Sequence, residues 1–271
     1  MANKFNEIHR NLPMVKLKKY QPGLKQFVLF LTFLSVFSCG TKSYQVSKIE
    51  GKEIGVSDQY GTNAEIENYI KPYRDNIDKD LGAVLAYAPE TLDKTGTFQC
   101  PIGNLMADVA LDFGNRVFKK RENKSIDMCL LNFGGIRSII PKGNVTTKTA
   151  FELMPFENSL IVTELKAEQI REMVAYIFAE RKAHPISGLT FRVNTGMIEN
   201  IRIKGQLLDD NKTYYVVTSD YLINGGDKMD FFKKSLKNYD LNYKLRNVLI
   251  DYFKEVDTIP LVKDKRIEFS Y

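Results

Sequence analysis

Histidine is nearly missing from this chain of 271 residues: only His9 and His184 occur. Cysteine is almost as scarce, at Cys39, Cys100 and Cys129, and no two of these have zinc-type spacing. A serine or thiol nucleophile needs a base held beside it. His184, just before Pro185 at a helix end, stands in no recognisable Ser/His or Cys/His arrangement. Long hydrophobic runs are missing too. The longest, residues 27–37, has 11 residues, too few to cross a bilayer as a helix. No internal repeat or low-complexity segment is visible.

An excess of positive charge is also missing where a nucleic-acid surface would need it. The net charge is +6. Residues 1–38 hold six cations (Lys4, Arg10, Lys16, Lys18, Lys19, Lys25) against Glu7, leaving +1 for the remainder. A nucleic-acid partner requires a basic face on the folded domain, so none is expected. The basic stretch followed by residues 27–37 reads as a targeting signal. It stops at Ser38-Cys39-Gly40, a small residue before a cysteine, which resembles a bacterial lipoprotein cleavage site. The expectation is a signal peptide over 1–38, a lipid on Cys39 and anchorage to a membrane of the bacterial cell envelope. Several acyl chains hold a protein durably at about 0.8 kcal/mol per buried CH₂. Cys100 and Cys129 either pair in an oxidising envelope or remain buried thiols.

What is present is 44% hydrophobic residues and 27% charge, enough for a real core in one domain. A polar tether over 39–62 is expected to hold a strand pair near 44–49 and 53–56. Residues 63–80 have helical spacing at Ile66, Tyr69, Ile70, Tyr73 and Ile77, with a kink or split at Pro72. Strands are expected at 82–88, 126–131, 159–165, 188–193, 198–203, 212–218 and 267–269. Helices are expected from Gly103-Asn104, over 146–153, 167–181 and 241–252. In the 126–131 strand, Ile126, Met128 and Leu130 would face one side and Cys129 and Leu131 the other. Asn104 and Asp108 either cap their helix or face a site. Elements interleave without strict βαβ alternation, which indicates an α+β fold, a layered mixed-sheet domain, over 63–271.

Two Gly-Gly turns follow apolar strands: Asn132-Phe133-Gly134-Gly135-Ile136-Arg137 and Asn224-Gly225-Gly226-Asp227. Each is either an ordinary tight turn or one wall of a shared site. Glycines allow positive φ and close approach, Asn132 offers a donor and an acceptor, and Arg137 a charged five-donor fork. Phe156, after Pro155, is either a core plug or a platform for a ligand.

Four motifs in order, Gly103-Asn104-Leu105…Asp108, Asn132-x-Gly134-Gly135-Ile136-Arg137, Met154-Pro155-Phe156-x-Asn158 and Asn224-Gly225-Gly226-Asp227, resemble the C-terminal, substrate-specificity domain of the 5′-nucleotidase / UDP-sugar hydrolase family. The resemblance covers roughly residues 60–271. It implies that Asn132 bonds the base, Arg137 the ribose or its neighbourhood, and Asp227 the ribose hydroxyls. It also implies that Phe156 and Tyr221 hold the base between two rings, Tyr221 standing where the family usually has phenylalanine. The family's metallophosphoesterase domain, with its two-metal centre of Asp, His and Asn, has no counterpart in these residues. Two features depart from the family: its substrate-contacting arginines are replaced by Thr95-Gly96-Thr97-Phe98 with only Lys94 nearby, and its usual glutamate reads Gln99. The implied role is that of a nucleotide- or nucleoside-binding specificity subunit of a split 5′-nucleotidase. It would hold no cofactor of its own, with divalent metals and hydrolysis in a separate metallophosphoesterase chain. A stand-alone nucleoside-binding lipoprotein is the alternative, and a structural module with a decayed site the third reading.

Overall fold

The computed structural model describes residues 22–36, 44–55, 57, 59–261 and 264–270. Residues 1–61 and 62–271 form two separate units. In the first, α1 (Pro22–Val36) is a helix with exposed apolar side chains. Cys39 lies outside the described residues. Among the described residues no helix is long and apolar enough to cross a membrane. The strand pair expected near 44–56 does not form over the described residues 44–55. Tyr44 and Ile49 are almost fully exposed; a β-ribbon needs a buried face, and none is available to them.

The second unit begins with α2 (Ala64–Leu81), capped by the Asn63 side chain on the Glu65 and Ile66 amides. Pro72 does not split it. Its ring removes one amide from the helix ladder, but α2 has no buried residue, so water can satisfy the freed carbonyl. The chain then forms β1 (Val84–Ala88), α3 (Pro101–Glu122), β2 (Met128–Leu130), β3 (Gly143–Thr146), α4 (Thr147–Leu153), β4 (Ser159–Lys166) and α5 (Ala167–Glu180). It continues through β5 (Ile186–Ser187), β6 (Leu189–Asn194), β7 (Met197–Ile203), β8 (Gln206–Leu207) and β9 (Thr213–Ser219). It closes with α6 (Asp220–Ile223), β10 (Lys237–Lys244), α7 (Leu245–Glu255) and β11 (Ile267–Ser270). The α+β class holds, with mixed sheets. The helix expected over 241–252 is corrected: residues 241–244 complete β10, and α7 starts at Leu245.

The central sheet has the order β10-β4-β9-β2-β5. Only β2 and β9 run parallel in it, in the register Met128↔Val216 and Cys129↔Val217. The other pairs are antiparallel. A smaller sheet, β11-β6-β7-β8, and the β1-β3 ribbon complete the unit. Both faces of the central sheet are covered, which explains why β2 and β9 read as continuous apolar runs. Cys129, Leu131, Leu160, Val162 and Val217 join the core built with α3 and α7. Met128, Leu130, Leu165 and Val216 join the core built with α5 and β6. Ile126 belongs with Cys129 and Leu131, not with Met128. Cys100 and Cys129 are both buried and unpaired.

Helix α3 starts at Pro101, with proline in its first turn, so Gly103 and Asn104 are already inside it. Asn104 is buried, and Asp108 bonds Ser187 Oγ at 2.6 Å and Arg266 Nη2 at 2.6 Å. Neither residue caps the helix. The Arg266 side chain is only 4% exposed. It also bonds Asp264 at 2.9 Å and the Asn104 and Ile186 carbonyls. One guanidinium thus ties β11 to α3 and β5. Removing one partner of a buried ion pair strands the rest. Because Asp108 and Asp264 are partly exposed, Arg266→Ala should cost about 3 kcal/mol, the low end for such pairs. A urea midpoint that drops by much less than that would show the network to be dispensable.

Candidate functional site

Strand directions decide which loops meet. β2 and β9 are parallel neighbours, so their C-terminal ends open at the same edge of the central sheet. β4 is antiparallel to β9, with Leu160 opposite Ser219, so its N-terminal end lies there too. The loops that leave β2, leave β9 and enter β4 therefore converge. They carry Asn132 to Arg137, Tyr221 to Asp227, and Phe156.

Asp227 is the hub. Asn132 Nδ2 donates to its Oδ2 at 2.8 Å and Tyr221 Oη to its Oδ1 at 2.9 Å. The Asp227 amide donates to Tyr221 Oη at 3.3 Å, and Tyr176 Oη donates to the Asp227 carbonyl at 2.7 Å. These bonds hold Asp227 at φ 51° and precede Lys228 at φ 60°, a left-handed pair that non-glycine residues adopt at a cost. Gly226 is required by contact: a Cβ there would lie 2.4 Å from the Tyr221 ring. Gly135 is required likewise, since its Cβ would lie 2.8 Å from Asn132 Oδ1.

Arg137 and Phe156 form the other half. The Arg137 guanidinium lies 5.7 Å from the Phe156 ring centre, and its Nη1 donates to the Gly134 carbonyl at 3.4 Å. Gly134 faces the Asp227 carboxylate and the Asn132 amide, so all five expected residues are linked through it. Phe156 is 40% exposed and Tyr221 44%; Phe156 is therefore not a core plug. The two rings make no contact with each other among the described residues.

Three supporting residues carry no motif. Lys94 sits 4.3 Å over the Phe133 ring and donates to the Ile136 carbonyl at 2.7 Å, bracing the Gly-Gly turn. Tyr176, on α5, stays protonated: burial, with Glu180, Asp227 and Tyr221 nearby, pushes it up to about 12. Buried His184 accepts from the Phe133 amide through Nδ1 at 3.2 Å. Its scarcity was the one signal that could have marked it; Tyr176 looked like any residue of an amphipathic helix.

Among the described residues no group of three or more His, Cys, Asp or Glu is arranged to hold a metal ion. The described residues therefore do not fit a two-metal centre. One cavity of about 340 Å³ is lined by Asp108, Ser187, Asp264 and Arg266, and another of about 750 Å³ by Phe98, Gln99, Lys265 and Phe269; both are open to solvent. Neither includes any of the five clustered residues. In the first, Arg266 is fully engaged by its own chain.

The sequence pattern described as "5′-nucleotidase, C-terminal domain" matches residues 83–234. A 5′-nucleotidase-related protein of Glossina morsitans morsitans is 25% identical over 251 residues, covering 83% of this chain and 45% of that protein. An apyrase of Tabanus yao is 26% identical over 189 residues, covering 62% and 34%. The crystal structure of a 5′-nucleotidase precursor from Thermus thermophilus superposes with a TM-score of 0.62 at 25% identity, covering 75% of this chain and 42% of that one. The chain thus spans less than half the length of these relatives.

Burial, aided by Lys182 and opposed by Asp227, Glu180 and the Leu131 backbone, pushes His184 from 6.5 down to about 4. Between those values the unfolded chain binds a proton that the folded chain refuses, so stability falls as pH is lowered through that window. We expect a loss of up to about 3 kcal/mol. His184→Asn, which keeps an acceptor for the Phe133 amide, should remove that part of the acid sensitivity. Equal acid profiles for the two proteins in chemical denaturation would refute the assignment.

Proposed function

The chain belongs to the 5′-nucleotidase C-terminal domain family, and from that premise we propose that it is the nucleotide- or nucleoside-binding specificity subunit of a split 5′-nucleotidase. The observation that carries this reading is the convergence of Asn132, Arg137, Phe156, Tyr221 and Asp227 at one sheet edge. Their chemistry suits a nucleoside. A base has a π-face whatever its identity, and stacking on an aromatic ring is worth about 1–3 kcal/mol. Phe156 and Tyr221 supply such rings. The Asn132 amide can turn a donor and an acceptor to a base edge. The Asp227 carboxylate accepts from the vicinal ribose hydroxyls, its remaining lone pairs lying free of Asn132 and Tyr221. Arg137 and Lys94 place positive charge beside the same turn, which favours the phosphorylated end of a nucleotide.

The phosphate ester is cut by a separate metallophosphoesterase chain, whose metal pair supplies the activated water and the charge that receives the phosphate. This chain binds and orients. The exposed stripe Ile66, Tyr69, Tyr73 and Ile77 along α2 gives such a partner an apolar surface to meet. Residues 1–38 act as an export signal and Cys39 carries the lipid anchor that holds the complex at the cell envelope; this part of the proposal stands on the sequence alone.

Calorimetry of the purified chain with adenosine and AMP tests the site. Binding is expected, and none at millimolar ligand would sink the reading. Phe156→Ala should weaken adenosine binding about tenfold, within the range of one lost stacking contact. Phosphate release from AMP should appear only when the metallophosphoesterase is added. Binding by the purified chain together with no gain in AMP hydrolysis when a metallophosphoesterase is added would instead favour a stand-alone nucleoside-binding lipoprotein.

A further inference from the structure

Phe156 lies on a short loop between α4 and β4, and a loop ring stacks well only if its angle is fixed. What fixes it comes from the far end of the chain. Four bonds flank Phe156, all from the junction of β10 and α7. Arg246 donates through Nη1 to the Pro155 carbonyl at 3.4 Å and through Nη2 to the Glu157 carboxylate. Lys244 Nζ donates to the Glu157 carbonyl at 2.6 Å, and the Leu245 amide to the Asn158 carbonyl at 2.9 Å. The residues on either side of Phe156 are gripped, while Phe156 itself stays 40% exposed, with the Arg137 guanidinium 5.7 Å from its ring centre.

This grip is unfavourable locally. Lys244 and Arg246 stand at the N-cap and in the first turn of α7. Cations at that end oppose the helix dipole. The Arg246 side chain is only 9% exposed, and its Nε is buried with no hydrogen-bond partner, a further cost. Its guanidinium stacks 4.2 Å over the Phe151 ring, which repays part of the burial. A lysine at this position could not reach two acceptors with a planar fork. The geometry that offsets these costs is the one that orients the Phe156 loop.

We infer that Arg246 is a positioning residue for nucleoside recognition, acting through Pro155 and Glu157 to set the angle of the Phe156 ring. This rests on the reading that Phe156 stacks on a base. Arg246 touches no ligand in this scheme.

The full chain is used for the test, with adenosine as the probe. Arg246→Lys should weaken adenosine binding about fivefold, a partial loss of one stacking contact. Amides of Met154, Phe156, Glu157 and Asn158 should exchange faster, while those of β4 keep their protection. In a Phe156→Ala background the same substitution should leave affinity unchanged, because there is no ring left to orient. A merely structural role predicts the opposite, equal losses in both backgrounds. Glu157→Gln, on the exposed partner, removes the charge of the same anchor while keeping an acceptor for the buried Arg246 guanidinium, and should weaken adenosine binding in the same direction; it serves if Arg246→Lys does not fold. Equal losses with and without Phe156, or a variant that binds like the wild type, would overturn the positioning role alone. A wild-type chain that binds no adenosine at millimolar concentration would overturn the nucleoside reading and this role with it.

Discussion

The parallel pairing of β2 with β9, two strands far apart in the sequence that meet in the register Met128↔Val216, is the constraint on which the site depends. Parallel strands put their C-terminal ends on the same edge, so the loops that leave β2 and β9 are neighbours. A one-residue slip would turn Met128 and Leu130 away from the α5 core and Cys129 and Leu131 away from the α3 core. Because both faces are buried, that slip is strongly disfavoured. The register that packs the cores is therefore the same register that brings Asn132 to Asp227.

Within that frame the polar groups hold one another. Asn132, Tyr221 and Tyr176 each bond Asp227, and the left-handed φ of Asp227 is over-determined by them. Such strain persists where surrounding contacts fix it, and it clusters at functional sites. The left-handed φ of Gly225 and the close contact of Gly226 with the Tyr221 ring explain the second Gly-Gly turn, and the Gly135 contact with Asn132 explains part of the first. The glycines are spaced for approach between side chains, not for looseness.

The candidate site was legible in the sequence where its signals were local. Turn residues after apolar strands marked both Gly-Gly loops, and the motif order linked them to Phe156. Strand β10 was not legible. Its outward Lys237, Asn238, Asp240 and Asn242 look like loop, and Leu241 continues the apolar spacing of α7, so helical periodicity absorbed the end of the strand. The strand pair expected near 44–56 failed for the converse reason: alternation suggests a strand but supplies no partner. The two structural arginines were invisible because their meaning lies far along the chain. Arg266 meets Asp108 across 158 residues and Arg246 meets Glu157 across 89. Nothing in the local sequence distinguishes either from a solvated surface charge.

The hydrogen bonds among Asn132, Tyr221 and Asp227 bear on how such a site can gain affinity. A ligand that bonds the Asn132 amide or the Asp227 carboxylate in place of these contacts exchanges one hydrogen bond for another, and the net gain from exchange is small. It also avoids the ordering cost of side chains already held in place. Polar contacts then select the ligand's shape and chemistry more than they bind it. The larger favourable term is left to the exposed rings of Phe156 and Tyr221, which lose water on stacking. Tyr221 is fixed by its own bond to Asp227, whereas the Phe156 ring has the Arg137 guanidinium 5.7 Å from its centre and otherwise takes its angle from its loop. If these rings stack on a base as proposed, affinity at this edge of the sheet is set in part from outside the site, by the residues that hold the Pro155–Asn158 loop against α7.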